Sequence, residues 1–260
     1  MIIAILAFLI FLLIWFLPPF RKQGKAGKPA AKWYVLPTLT TAIIGFAVIL
    51  GLQLLLMLFT NAVFTPGSAA LAFFNAFISA ALIEESGKGL TGWLFTKRSG
   101  AARKIDYMFI FGAAGLGFEL SESLLKLDDV VSGIFTGVMC LHVFWQIYMG
   151  AHIYEYRAAK AAGDAKKAKT ELCKALLVPY LLHALNDLLA FLAEMLMAAM
   201  GGMEAIEQND ALGIPVLLLY AVVFGIGIVF CVITRVQLGR EAKRSALAEV
   251  KEQTAEQKTV

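Results

Sequence analysis

The 260-residue chain is short of charge: only 16% of its residues are Asp, Glu, Lys or Arg, while 60% are hydrophobic. Mean hydropathy is +0.75. Both values lie far from those of soluble domains and exclude an ordinary water-soluble fold. Cysteine is also scarce. Cys140, Cys173 and Cys231 are odd in number, scattered and without a CxxC pair, which excludes a disulfide framework and a zinc ribbon and leaves packing as their expected role. No period of 20 to 50 residues repeats, so solenoid architectures are excluded. Strict apolar/polar alternation is missing too, which argues against a membrane β-barrel.

What the chain does have is long apolar runs, at about residues 1–17, 33–60, 69–96, 107–127, 130–153, 175–200 and 214–234. A chain crossing hydrocarbon must satisfy its own backbone hydrogen bonds, so the expected fold is all-α, a polytopic membrane bundle of about seven transmembrane helices. The first run lacks a basic leader and a small-residue cleavage site, so it reads as a retained span. Of the 23 basic residues, 21 fall after the first, third and fifth runs and in the tail, and the connections 61–68 and 201–213 have none. This pattern places the N-terminus outside and the C-terminus in the cytoplasm. The net charge of +4 sits beside the membrane and gives no reason to expect a nucleic-acid partner. Residues 1–234 form a single transmembrane domain in this reading, with its chemistry in about 69–200. The polar tail 235–260 is either helical or disordered. The Ala/Lys-rich stretch "RAAKAAGDAKKAK" is expected to be a solvated extension between spans.

Ionisable residues inside spans are costly, and they mark function. Here they are Glu84, Glu85 and Lys88 in "ALIEESGKGL", Glu119 and Glu122 in "GLGFELSES", His142, and His183 with Asn186 and Asp187 in "HALND". At 1.5 Å per helical residue these groups lie roughly 12 to 22 Å from the basic ends of their spans, one shared level for four helices. Glu84 with Lys88, Glu119 with Glu122, and His183 with Asn186 and Asp187 each share a helix face. Glu194 stands apart near the other end of its span. Gly112, Gly115 and Gly117 follow no strand, so they read as close-packing residues and not as a phosphate loop.

The histidine contexts are "HVFWQ", "HIYEY" and "HALND", so no HExxH is present. No GxSG lies in a span, and the one Gly-Asp pair, Gly163 and Asp164, falls in the basic stretch. Glutamates and histidines on separate helices remain. In these, the chain resembles the PrsW family of intramembrane proteases, within the wider group of CAAX-processing and bacteriocin-immunity type membrane proteases. "EESGK" stands for the family's EExxK, "GLGFELSES" for its G-F-x-x-x-E-N with Glu122 as the glutamate, His142 and Gly150 for its H-x7-G, and "HALND" for its late histidine. Ser123 departs from the usual asparagine.

The resemblance implies an intramembrane protease that hydrolyses membrane-anchored proteins, in a bilayer expected to be a prokaryotic cytoplasmic membrane. Glu84 or Glu85 is then the expected general base, with Lys88 holding the other ionised, and Glu122 completes the acidic set. His142 and His183, helped by Asn186, would donate to the developing oxyanion, and Asp187 would orient His183. The family's metalloprotease classification implies one divalent metal such as zinc, with Glu85 (or Glu84), Glu122, His142 and His183 as candidate ligands. A proton- or ion-coupled transporter would also carry mid-membrane carboxylates, although no inverted repeat is visible, and a non-catalytic scaffold of the same fold would keep them for stability.

Overall fold

The computed structural model describes residues 16–25, 28–125, 141–201 and 210–259. Among these there are seven helices and no strand: α1 (Leu17–Lys22), α2 (Lys32–Val63), α3 (Ala69–Ser99), α4 (Lys104–Leu125), α5 (Leu141–Ala161), α6 (Ala165–Ala199) and α7 (Asp210–Thr259). They are not the seven expected spans. The run 1–17 and the start of the run 130–153 fall almost wholly outside the described residues, and α1 is a short helix following the first run. Among the described residues, four helices are long and apolar enough to cross a membrane, within Lys32–Val63, Ala69–Ser99, Ala165–Ala199 and Ile214–Ala255.

α4 and α5 fail that criterion because they form the centre of the bundle. Ile105, Met108, Phe109, Val143, Phe144, Ile147 and Ala151 make their shared core, joined by Cys231, Leu238 and Ala242 of α7. A helix enclosed by other helices can carry polar residues that a lipid-facing one cannot. The α4–α5 seam is set by glycine. A Cβ on Gly115 would lie 2.5 Å from the His142 carbonyl oxygen, and one on Gly150 would lie 2.6 Å from that of Tyr107, so a side chain at either site would push the helices apart. Gly117 brings α4 equally close to α2, whose Ala42 carbonyl accepts from Ser121 Oγ (2.8 Å) while Thr38 Oγ1 donates to the Ala113 carbonyl (2.9 Å).

Two helices change pitch. α2 is π-helical over Thr41–Gly45 and α3 over Asn75–Leu82. The extra residue in a π turn displaces everything after it by about 100° around the axis relative to an uninterrupted α-helix. In α3 the buried positions step from Ala72 to Ala76 to Ala81 and then to Glu84, Glu85 and Lys88. The five-residue step lies inside the π segment and aims the charged face of α3 into the bundle.

The basic ends of the helices gather. Arg103 donates to Asp106 (2.6 and 2.9 Å), to the Gln23 carbonyl and to Ser245 Oγ, tying α1, α4 and α7 together. Burial opposes charge on its guanidinium, but the bonds and charge of Asp106 outweigh this and raise its pKa. Lys104 pairs with Glu155 of α5 at 3.0 Å. The Ala/Lys-rich stretch is a solvated amphipathic extension of two helices, exposed except at Ala159 and Ala168: α5 runs to Ala161, and Asp164 caps α6 by accepting from Lys167 N at 2.9 Å. The segment after Arg235 continues α7 as helix, with Leu238 and Ala242 buried. Of the cysteines expected to pack, Cys231 is in the core, Cys173 is exposed on α6, and Cys140 lies outside the described residues.

Candidate active site

Glu84 lies midway along α3, about 22 Å from either end of the helix. The groups that surround it come from α2, α4, α5 and α6, so the polar residues of separate helices do meet in one place. Lys88, wholly buried, is 2.6 Å from Glu85 Oε1 and 3.6 Å from Glu84 Oε2. Its Nζ also lies 2.7 Å from His142 Nδ1 and 4.3 Å from the centre of the Phe118 ring. A charged ammonium has no lone pair, so Lys88 donates to Nδ1. His142 Nε2 then carries the proton and donates to Glu122 Oε2 at 2.8 Å. The backbone N–H of His142 donates to Glu119 Oε2 at 3.3 Å.

His183 sits one turn after Pro179, which withdraws an N–H from the α6 ladder. Its Nδ1 is 2.9 Å from Glu85 Oε1, and its Nε2 is 3.2 Å from Asp187 Oδ2 and 3.7 Å from Glu84 Oε2. Trp145 stacks on this ring at 4.7 Å and meets the His142 ring edge-on at 5.2 Å, fixing both imidazoles by packing. Asn186 turns toward Asp187, donating to Oδ1 at 3.3 Å. Ser123 Oγ is buried without a hydrogen-bond partner among the described residues.

The adjacent glutamates differ in how fully they are bound. Glu85 is saturated: Lys88 and His183 hold Oε1, and Gln146 Nε2 donates to Oε2 at 2.8 Å. Glu84 takes one hydrogen bond, from Gln53 Nε2 to Oε1 at 2.9 Å, and its Oε2 is buried with none. Its nearest charged neighbours are Lys88 Nζ at 3.6 Å and His183 Nε2 at 3.7 Å, so among the described residues this buried oxygen is charge-paired but has no hydrogen-bond donor, a costly state that a bound cation would relieve. Glu84, His142 and His183 each offer a ligand atom within 4.8 Å of the others. Two imidazole nitrogens and one carboxylate oxygen fit a divalent metal of the zinc type. For His142 to contribute, one ring nitrogen must exchange Lys88 or Glu122 for the ion.

Gln53 and Gln146 were missed in the sequence because neutral amides in "GLQLLL" and "HVFWQIY" carry no charge to mark them. Gln146 had one available signal, its i,i+4 spacing from His142.

The family model of the PrsW family intramembrane metalloproteases matches residues 30–226, most of the chain and every residue of this cluster. The chain belongs to the PrsW family. No curated protein and no solved structure matches it. It is an integral membrane peptidase of the metalloprotease type, and membership selects peptide hydrolysis over the carrier and scaffold readings. The EExxK, G-F-x-x-x-E and H-x7-G elements gain physical content here. The first brings a saturated and an unsaturated carboxylate with their cation, the second brings Glu122 to His142, and the glycine of the third lets α5 approach α4.

Proposed function

We propose that Glu84, His142 and His183 hold the metal of this PrsW protease, and that a single-pass protein anchored in the same bilayer is cut beside them. The observation that carries this reading is Glu84 Oε2, which among the described residues accepts no hydrogen bond and has Lys88 and His183 only at 3.6 and 3.7 Å, within ligand distance of two imidazoles, while Glu85 is fully bound. A divalent ion at this position supplies an activated water and polarises the peptide carbonyl.

The remaining roles belong to side chains. Glu85, locked by Lys88, Gln146 and His183, orients the His183 ring and stays outside the chemistry. Lys88 offsets the charge of the glutamates and fixes the His142 tautomer. Glu122 is the general base. Its side chain is 23% exposed, against 4% for Glu85 and 11% for Glu84, so water reaches it. It takes the proton of the attacking water and returns it to the leaving amine. Asn186, at the partly exposed edge with Asp187, donates to the oxyanion as it forms. Trp145 and Phe118 wall the rings off from lipid. Glu85, expected among the catalytic groups, becomes a supporting group as Ser123 was, Glu84 takes its place in the ligand set, and Glu122 leaves that set for the role of base.

The meeting of the basic helix ends at Arg103, Lys104, Lys167 and Arg244 supports a topology with that end, and the tail, in the cytoplasm, and an N-terminus outside after seven spans. A prokaryotic cytoplasmic membrane suits that arrangement.

The test is cleavage of a panel of single-pass membrane proteins co-expressed with the wild type and with Glu122→Gln. The wild type releases a fragment and E122Q keeps its metal but releases none. E122Q cutting at the wild-type rate would remove Glu122 from the role of base.

A further inference from the structure

We infer that Gln53, on the lipid-facing helix α2, is the positioning residue that aims Glu84. The inference rests on Glu84 being a ligand, as proposed above.

α2 turns most of its surface outward. Leu52 and Leu54, which flank Gln53, are 45% and 50% exposed. Its inward stripe at this level is Ile49 and Gln53, one turn apart. Ile49 is buried against Gly87 of α3, where a Cβ would lie only 2.9 Å from its Cδ1, so α2 and α3 approach closely at this point. Gln53 uses this approach to reach α3 with both amide hydrogens. One goes to the Ser79 carbonyl at 3.2 Å and the other to Glu84 Oε1 at 2.9 Å.

Ser79 lies inside the π-helical segment of α3, where the widened turn alters the backbone ladder. The same NH2 group therefore grips the irregular turn and the carboxylate that follows it. A carboxylate with two free oxygens can rotate about its last torsion. One whose Oε1 is held by a fixed amide presents Oε2 in a single direction, here toward Lys88 and His183 at 3.6 and 3.7 Å, in the group where Glu84, His142 and His183 offer ligand atoms within 4.8 Å of one another. Outer partners that hold a ligand in this way typically account for a 10- to 100-fold effect on metal affinity or activity. Gln53 touches neither imidazole, so its influence passes through Glu84 and the Ser79 turn.

Gln53→Leu keeps the side-chain size and suits a lipid-facing helix, so the helices still form, although Glu84 Oε1 loses its hydrogen bond and the unfolding temperature falls. Zinc affinity by chelator competition, thermal unfolding and cleavage kinetics are measured on the full chain for wild type, Q53L, E84Q and the double variant. Q53L is expected to stay folded at the assay temperature with a lowered unfolding midpoint, to bind zinc about 10- to 100-fold more weakly, and to lose kcat with KM unchanged. In the E84Q background, Q53L is expected to change zinc affinity no further, because the oxygen it aims is gone. Unchanged zinc affinity in Q53L, or an equal extra loss in the double variant, overturns the assignment of Gln53. Unchanged zinc affinity in E84Q overturns instead the ligand reading beneath it.

Discussion

α2 and α5 are both helices of one bundle, and they obey opposite rules. α2 has almost nothing buried, 6% of its most apolar window, and is apolar nearly throughout. α5 is buried along most of its length and carries His142, Gln146, His152, Glu155 and Arg157. The difference shows that hydropathy reports what a helix touches, not whether it lies in the membrane. Lipid accepts only α2's kind of surface, whereas α4 and α6 give α5's polar groups partners. The enclosed helix can therefore bear chemistry, and the lipid-facing helix contributes by a single amide.

Four perturbations sharpen that contrast, beginning with the strongest. Glu84→Gln at the centre should lower cleavage by about 100-fold or more while far-UV circular dichroism stays native, since it removes the oxygen proposed as a ligand without changing shape. A Gly→Ala pair should show opposite signs. At Gly115 the new methyl meets the His142 carbonyl at 2.5 Å, and unfolding in detergent should reveal a loss of about 1–3 kcal/mol. At Gly51 on α2 nothing lies within 4 Å, and the better helix propensity of alanine should stabilise by up to about 1 kcal/mol. Ser121→Ala deletes the bond to the Ala42 carbonyl and should cost about 0.6 kcal/mol, the average for polar contacts between membrane helices. Smallest of all, Leu55→Ala, 64% exposed on α2, should leave the unfolding midpoint within about 0.5 kcal/mol of wild type. A large effect at Leu55 would mean that α2 meets a protein partner and not lipid.

The same contrast explains what was legible in the sequence. Charges in apolar runs cannot hide, so Glu84, Glu85, Lys88, Glu122, His142 and His183 stood out, and rise per residue placed them at one level. The spacing of Gly112, Gly115 and Gly117 likewise foretold close helix contacts. The division of labour between Glu84 and Glu85 was not legible, because it depends on Gln53 and Gln146 arriving from other helices. The π turn at Asn75–Leu82 was also hidden, since no proline or glycine marks it, and it decides which face of α3 points inward. His152, ten residues beyond His142 and toward the basic end of its run, was not among the candidate groups. The structure pairs it with Glu171 at 2.5 Å beside Lys174, away from the cluster, a partnering that sequence spacing across a helix turn could not show.

The most direct test of the account is metal analysis of the purified protein beside Glu84→Gln and Glu85→Gln. Loss of the bound ion in E84Q, with E85Q still holding it at reduced thermal stability, is the expected result. An E84Q protein that keeps a full complement of metal and still cuts its substrate would contradict it.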